Sequence, residues 1–375
     1  MQHGMLSQQY FKSLLASVLY DNLRMNIDCK YSVGLPSGWT AEGLREAIMG
    51  ARNIVLVAHK HADGDAVGSL TGMYALLRHI QRSTPDNHLS TITPLLPDGC
   101  PDDLTWMPNT QDIVDCAREE QRANDAVAAA DLVIALDLNG LDRTGRMADT
   151  LKTANARKIL IDHHIGPQRE QFDIVVSDDG ISSACEMVFW AMRTAFGQQA
   201  FDLDSATSLY AGICTDTGTF SYSNTRQSIY LAAAELLTYG IDPMAINRNI
   251  KNVFTTRRLK FFGHAMSQLL TVYEEKELAL MVLTKADIER YGVDSSELTG
   301  LVNEVMKLRD IDCAVLVREE QDEVRLSFRS KVHIDVNCVA RELFDGGGHE
   351  RAAGATSHLS LEDTVAIVKR KFGVK

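Results

Sequence analysis

NIVLVAHKHADGD, residues 53–65, begins as a short apolar run and ends in a cluster of histidine and aspartate. Asn53–Ala58 is short, bounded and rich in β-branched residues, so it reads as a buried strand. The same design recurs twice, in DLVIALD (131–137) and KILIDHH (158–164). His59, Asp63 and Asp65 follow the first run, Asp137 the second, and Asp162, His163 and His164 the third. Around these runs the pattern is helical at Ala41–Gly50, Val67–Arg82, Ser182–Phe196, Asp204–Cys214, Gln227–Tyr239 and Pro243–Ile250. Leu89–Leu96 and Phe172–Val176 read as further strands. Continuous apolar strands alternating with helices indicate an α/β domain with a largely parallel sheet. Sites in such sheets form beyond the carboxyl ends of the strands, so the three clusters should meet at one edge.

Outward from this core, residues 1–38 read as an accessory segment, with helical periodicity over Ser7–Met25. The first domain is expected over 39–246 and a helical linker over 247–262. The linker carries Arg248, Lys251, Arg257, Arg258 and Lys260, either to steer a substrate or as a solvated face. A smaller α/β domain is expected over 263–375, with strands at Thr271–Tyr273, Leu278–Leu283, Asp312–Arg318 and Val324–Phe328. Its helices are expected at Leu298–Leu308 and Leu361–Phe372.

The chain has 375 residues, 45% of them hydrophobic, and a formal net charge of −12. That length suits two cores and that composition a soluble globular protein. Seven cysteines, an odd count with no C-x-x-C pair, speak against a disulfide framework or a thiolate zinc site. Reduced thiols in a cytoplasm are the simpler expectation. No apolar run approaches the roughly 18 residues of a membrane span, and no signal peptide is visible. The acidic balance disfavours duplex DNA on a broad basic face, but not a small anionic ligand.

Three clusters rich in Asp and His, without thiols, suit hard or borderline divalent ions such as Mn²⁺ or Mg²⁺. Gly64 would let the backbone turn sharply between Asp63 and Asp65. The bland alternative is a polar loop capping a helix at Asp65. A fourth acid, Asp216, stands in YAGICTDTGTFS (210–221). Pattern alone does not separate it from Asp178, Asp179 or Asp204. No G-x-S-x-G or G-x-x-x-x-G-K-[ST] motif suggests a protein nucleophile or a phosphate loop.

Taken together, His59-x-x-x-Asp63-Gly64-Asp65, Asp137, Asp162-His163-His164 and Asp216 resemble the motifs of the DHH phosphoesterase superfamily. GGGHERAAG (346–354) resembles the signature of the DHHA1 domain. Length and domain pair most resemble the bifunctional oligoribonuclease and pAp-phosphatase branch. Ala62 and Asp345 depart from the family's usual Pro and Gly. The resemblance implies two divalent ions, Mn²⁺ first with Mg²⁺ or Co²⁺ as alternatives. His59, Asp63 and Asp137 would hold one; Asp65, Asp137, His163 and Asp216 the other. Asp162 would orient a histidine, and His164 would face the scissile phosphate. Arg329, Ser330, Gly346, Gly347, Gly348, His349 and Arg351 would bind substrate. The implied reaction releases 5′-nucleoside monophosphates from very short single-stranded RNA and dephosphorylates pAp, by water activated between the two ions. A cyclic or linear dinucleotide phosphodiesterase is the alternative enzyme, and a catalytically inactive nucleotide sensor the alternative of another class. The implied assembly is a homodimer.

Overall fold

The computed structural model describes residues 39–84, 88–222, 224–251, 254–294, 296–298 and 300–374. The helix expected over Ser7–Met25 lies outside them. The chain divides into two compact units after residue 252, inside the stretch expected as connector.

The first unit is built on six strands: β1 (Asn53–Val57), β2 (Thr91–Leu96), β3 (Val114–Asp115), β4 (Leu132–Leu136), β5 (Arg157–Asp162) and β6 (Ile174–Ser177). They pair in the order β3-β2-β1-β4-β5-β6, all parallel. Ile54 and Leu56 of β1 join one core layer, and Val55 and Val57 the other. The sheet is therefore buried on both faces, which is why its strands are apolar without alternation. The order reverses between β1 and β4, so the crevice at their carboxyl ends is where a ligand site is expected.

Two helices close that crevice from one side. Gly64–Ser83 packs along Leu203–Asp216, and the contact is unusually close. A Cβ on Gly64 would come within 2.4 Å of the Thr215 side chain, and one on Gly68 within 2.7 Å of the Ser208 carbonyl oxygen. Gly72 faces Leu209 in the same way. Spaced by four, these glycines make one bare stripe on the helix. Gly64 is thus kept for close packing, not for the sharp turn expected from the sequence; its φ is not positive. Asp63, not Asp65, is the helix cap: its Oδ1 accepts hydrogen bonds from the Asp65 and Ala66 amides.

The second unit holds β7 (Leu270–Tyr273), β8 (Leu278–Leu283), β9 (Cys313–Glu319), β10 (Val324–Ser330), β11 (Asp345–His349) and β12 (Ala352–Ser357). Their order is β11-β12-β10-β9-β8-β7. Only β8 and β9 run parallel. Two differences from the sequence reading stand out. The helix expected over Leu298–Leu308 is confined to Leu301–Val305, because Gly300 takes a left-handed conformation (φ 85°) and starts it. The linker basics are only partly a solvated face. Arg258 is buried, its guanidinium 4.2 Å from the Phe254 ring, and Arg257 donates to Glu297. Among the described residues, no helix is long and apolar enough to cross a membrane.

Candidate functional site

The strand ends of the first unit deliver their polar residues to one place. His59 follows β1 and is buried. Its Nδ1 lies 2.8 Å from the Lys60 carbonyl oxygen, a bond in which Nδ1–H donates. Nε2 faces Asp137 Oδ2, 3.3 Å away, with Asp63 Oδ1 at 4.0 Å. A hydrogen bond that fixes the tautomer in this way is what metal-ligating histidines usually carry.

Asp137 sits one residue past β4 in the left-handed region, φ 55°. For a residue other than glycine that conformation is sparsely populated and is most often seen where function demands it. The turn drives the carboxylate into the middle of the crevice. Oδ2 faces His59, and Oδ1 lies 3.4 Å from His163 Nε2. Oδ1 is buried and has no hydrogen-bond partner. An orphaned carboxylate oxygen inside a protein is costly, and a cation would satisfy it.

His163 gathers the other side. Its Nε2 lies 3.7 Å from Asp65 Oδ2 and 3.6 Å from Asp216 Oδ2. Asp216 is the last residue of the helix Leu203–Asp216, brought in by the glycine stripe. Asp65 is held from behind: its two oxygens accept from the Ala184 amide (2.6 Å) and the Cys185 amide (2.9 Å). These amides open the helix Ala184–Phe196, whose N-terminus favours a negative charge. Three sets of potential ligand atoms emerge, each compact enough to hold an ion: His59, Asp63 and Asp137; Asp65, His163 and Asp216; Asp137, His163 and His164.

Without a cation this cluster is electrostatically frustrated. Burial and the charge of Asp137 push Asp65 up to about 7. Burial and Asp65 likewise hold Asp216 well above the ordinary carboxylate range. Burial acts against the charge on His163, yet the adjacent carboxylates of Asp137, Asp65 and Asp216 raise it to about 10. Asp137 is itself held low: burial opposes its charge, but the imidazoles of His163 and His59 beside it outweigh that. Protons thus occupy positions that a divalent ion would fill, and an all-Asp/His donor set suits Mn²⁺ or Mg²⁺.

Beside these ligand sets runs a short relay. Asp162 Oδ1 lies 2.8 Å from His164 Nδ1, and His164 Nε2 lies 3.0 Å from Arg143 Nη1. Arg143 can only donate, so Nε2 accepts, Nδ1–H donates to Asp162, and the imidazole is neutral in this arrangement. From its place in the sequence Arg143 could serve either as a substrate contact or as a structural cap. Its position in a 3-10 turn (Leu141–Met147) after β4 places it among the clustered residues.

In the second unit the glycine run is a strand, not a surface turn. β11 pairs with β12 from Asp345↔Thr356 to His349↔Ala352, so its peptide groups are not all left free for a ligand. A Cβ on Gly348 would fall 2.5 Å from the Ala352 carbonyl oxygen, and one on Gly346 2.6 Å from the Ala355 Cβ. Gly347 faces open space except for Arg341 and Asn337 near 4 Å. Register sets Arg329 and His349 on either side of Ala352. The Ser330 hydroxyl donates to the Ile334 carbonyl oxygen at 2.6 Å, and Arg351 donates to the same oxygen at 2.9 Å. Ser330 and Arg351 therefore shape this end of the sheet, next to Arg329 and His349.

Residues 53–213 match the family model "DHH family, N-terminal domain", and residues 276–373 match "DHHA1 domain". The crystal structure of an exopolyphosphatase-related protein from Bacteroides fragilis superposes with a TM-score of 0.83 at 30% identity, covering 89% of this chain and 95% of that one. The chain belongs to the DHH–DHHA1 phosphoesterases. The enzyme of Bacillus subtilis named bifunctional oligoribonuclease and PAP phosphatase NrnA is 28% identical over 316 residues, 81% of this chain and 88% of that one. The fold extends further: an exonuclease RecJ bound to manganese matches with a TM-score of 0.50 at 15% identity, covering 90% of this chain and 96% of that one. As a DHH–DHHA1 phosphoesterase the chain is a hydrolase, and its clustered Asp and His side chains are ones that could hold metal.

Proposed function

We propose that this DHH–DHHA1 phosphoesterase releases 5′-nucleoside monophosphates from very short oligoribonucleotides and removes phosphate from pAp, using two divalent ions, Mn²⁺ foremost. The observation that carries the reading is Asp137, whose two oxygens face a histidine each, His59 and His163. A carboxylate so placed would serve both ions. His59, Asp63 and Asp137 would hold one ion, and Asp65, Asp137, His163 and Asp216 the other. Bound there, the ions supply Lewis acidity toward a phosphoryl oxygen and lower the pKa of water at the site. Support for the substrate comes from the Bacillus subtilis relative, whose name states both activities.

The chain's own residues complete the chemistry. Four liganding aspartates balance two divalent charges, so an anionic substrate needs further cations. Arg143 supplies one beside the site. Its guanidinium can turn from His164 to a phosphate oxygen, and His164, steadied by Asp162, remains as a hydrogen-bonding neighbour. In the second unit Arg329, His349 and the floor at Gly347 are proposed to bind the nucleotide. Ser330 and Arg351 support them through Ile334.

The test is a substrate panel with the purified full chain and Mn²⁺: di- to pentaribonucleotides, pAp, a cyclic dinucleotide and pyrophosphate. Turnover is expected on the short RNAs and on pAp. Inactivity on both sinks the substrate assignment, and preference for the cyclic dinucleotide would replace it. In the same assay Arg143→Ala should lower kcat/KM by about 10- to 100-fold, as loss of a charge-assisted contact to phosphate would. Bound metal should stay unchanged, and Arg143→Lys should recover part of the rate. Loss of metal in Arg143→Ala would instead make this residue a support of the centre.

A further inference from the structure

We infer that Asn224 is a positioning residue for the metal centre: its side-chain amide clamps together the two backbone segments that hold Asp216 and Asp65. Asn224 Nδ2 donates to the Asp216 carbonyl oxygen at 3.1 Å and to the Ser182 carbonyl oxygen at 3.2 Å. Both partners can only accept, so the amide has one possible orientation and both of its N–H groups are used. Among the described residues its Oδ1, also buried, has no partner, so the clamp accounts for all its side-chain hydrogen bonding. Each end of the clamp leads to a ligand. Asp216 closes the helix Leu203–Asp216, and the last carbonyls of a helix need partners from outside it. Amides of the following turn take those of Ile213, Cys214 and Thr215, and Asn224 takes that of Asp216. Ser182 stands two residues before Ala184, and the Ala184 and Cys185 amides are the ones that grip Asp65. Ser182 is fixed from its other side as well. Oε2 of the buried Glu186 accepts from its amide at 3.0 Å and from its hydroxyl at 2.6 Å.

A strained turn brings the amide to this place. Gly218, Thr219 and Phe220 are consecutive residues in the left-handed region, at φ 55°, 58° and 61°. Threonine and phenylalanine rarely adopt it, and such strain persists only where the surroundings enforce it. Here the Phe220 ring lies against Tyr210 and Tyr230, with 6.1 Å and 5.4 Å between centroids. The Ser221 and Tyr222 amides both donate to the Thr217 carbonyl oxygen. The chain thus doubles back within 8 residues to cap the helix that delivers Asp216. In the proposed centre Asp65 and Asp216 hold the same ion, and the inference rests on that reading. His59 and Asp63 belong to the other ion, and the hydrogen bonds of Asn224 do not run to them. The clamp should therefore govern one ion and spare the other.

Calorimetric titration of Mn²⁺ into the metal-free full-length chain tests this. The wild type should show two binding events. Asn224→Leu keeps roughly the size of the side chain and removes its donors. It should weaken one event by about 10- to 100-fold, as loss of a group that orients a ligand does, and leave the other within about threefold. Adding His59→Ala should remove the event that remains. Electron paramagnetic resonance supplies an independent signature. Loaded with two equivalents of Mn²⁺, the wild type should give the coupled spectrum of two ions sharing Asp137, and Asn224→Leu the spectrum of an isolated ion. Circular dichroism checks that the helices are intact. Two unchanged events in Asn224→Leu overturn the inference. Equal weakening of both events overturns it too, because Asn224 would then support the fold and not one ion. So does a remaining event that survives His59→Ala, since the clamp would then serve the other ion. A wild-type chain that takes up no Mn²⁺ sinks the proposed metal centre itself, a result distinct from these.

Discussion

Asp137→Asn should lower turnover on the order of 10³-fold or more, while the protein remains folded. Asparagine matches aspartate in size and is the other residue that tolerates a left-handed backbone, so the φ of 55° at this position is not disturbed. What changes is the charge and one oxygen. The carboxylate presents Oδ2 to His59 and Oδ1 to His163, and an amide can offer an acceptor to only one of them. Its NH₂ would point a donor into the place a cation should take. Losing Lewis-acid stabilisation worth several kcal/mol corresponds to a rate loss of that order. Elemental analysis should show divalent metal lost along with activity, and the far-UV circular dichroism should match the parent. Activity within tenfold of wild type would remove Asp137 from the centre of the mechanism.

The same residue shows how far the sequence could be read. An apolar strand that runs straight into Asp or His announces a ligand at the sheet edge, and β1, β4 and β5 all do so. Parallel topology then follows from continuous burial on both faces. Asp216 gave no such signal, since it ends a helix, and its partnership with His163 depends on how two helices pack more than 130 positions apart in sequence. Family resemblance, not spacing, singled it out. The glycines that permit this packing were visible as letters, but their reason was not. Gly64 looked like a turn residue, whereas it is the place where Thr215 comes close. Arg143 and the amides behind Asp65 were hidden for the same cause: they act through contacts between distant segments. The glycine run of β11 carried no strand signal, because strand propensity is set by neighbours, and a Gly-rich edge has little intrinsic preference of its own.

Between pH 6 and pH 8 the apparent affinity for Mn²⁺ should rise at least about 10³-fold. The sign comes from which protons the ion must displace. His163 is raised to about 10, so across this range it carries a proton that has to leave before Nε2 can act as a ligand. That contributes about tenfold per pH unit throughout. Asp65 is raised to about 7, so it holds a proton at pH 6 and has largely lost it at pH 8, adding about one further factor of ten below neutrality. Asp216, held high by burial and by Asp65, acts in the same direction. Acidification therefore weakens metal binding by refilling ligand positions with protons, and the slope of log affinity against pH should steepen below 7. Titration by calorimetry in two buffers of different ionisation enthalpy counts the protons released, expected to be about two or more at pH 6 and fewer at pH 8. In His163→Ala the slope above pH 7 should flatten. A wild-type affinity that stays level from pH 6 to pH 8 would mean the ion is held by groups other than His163 and Asp65, and would move the centre away from the carboxyl ends of β1, β4 and β5.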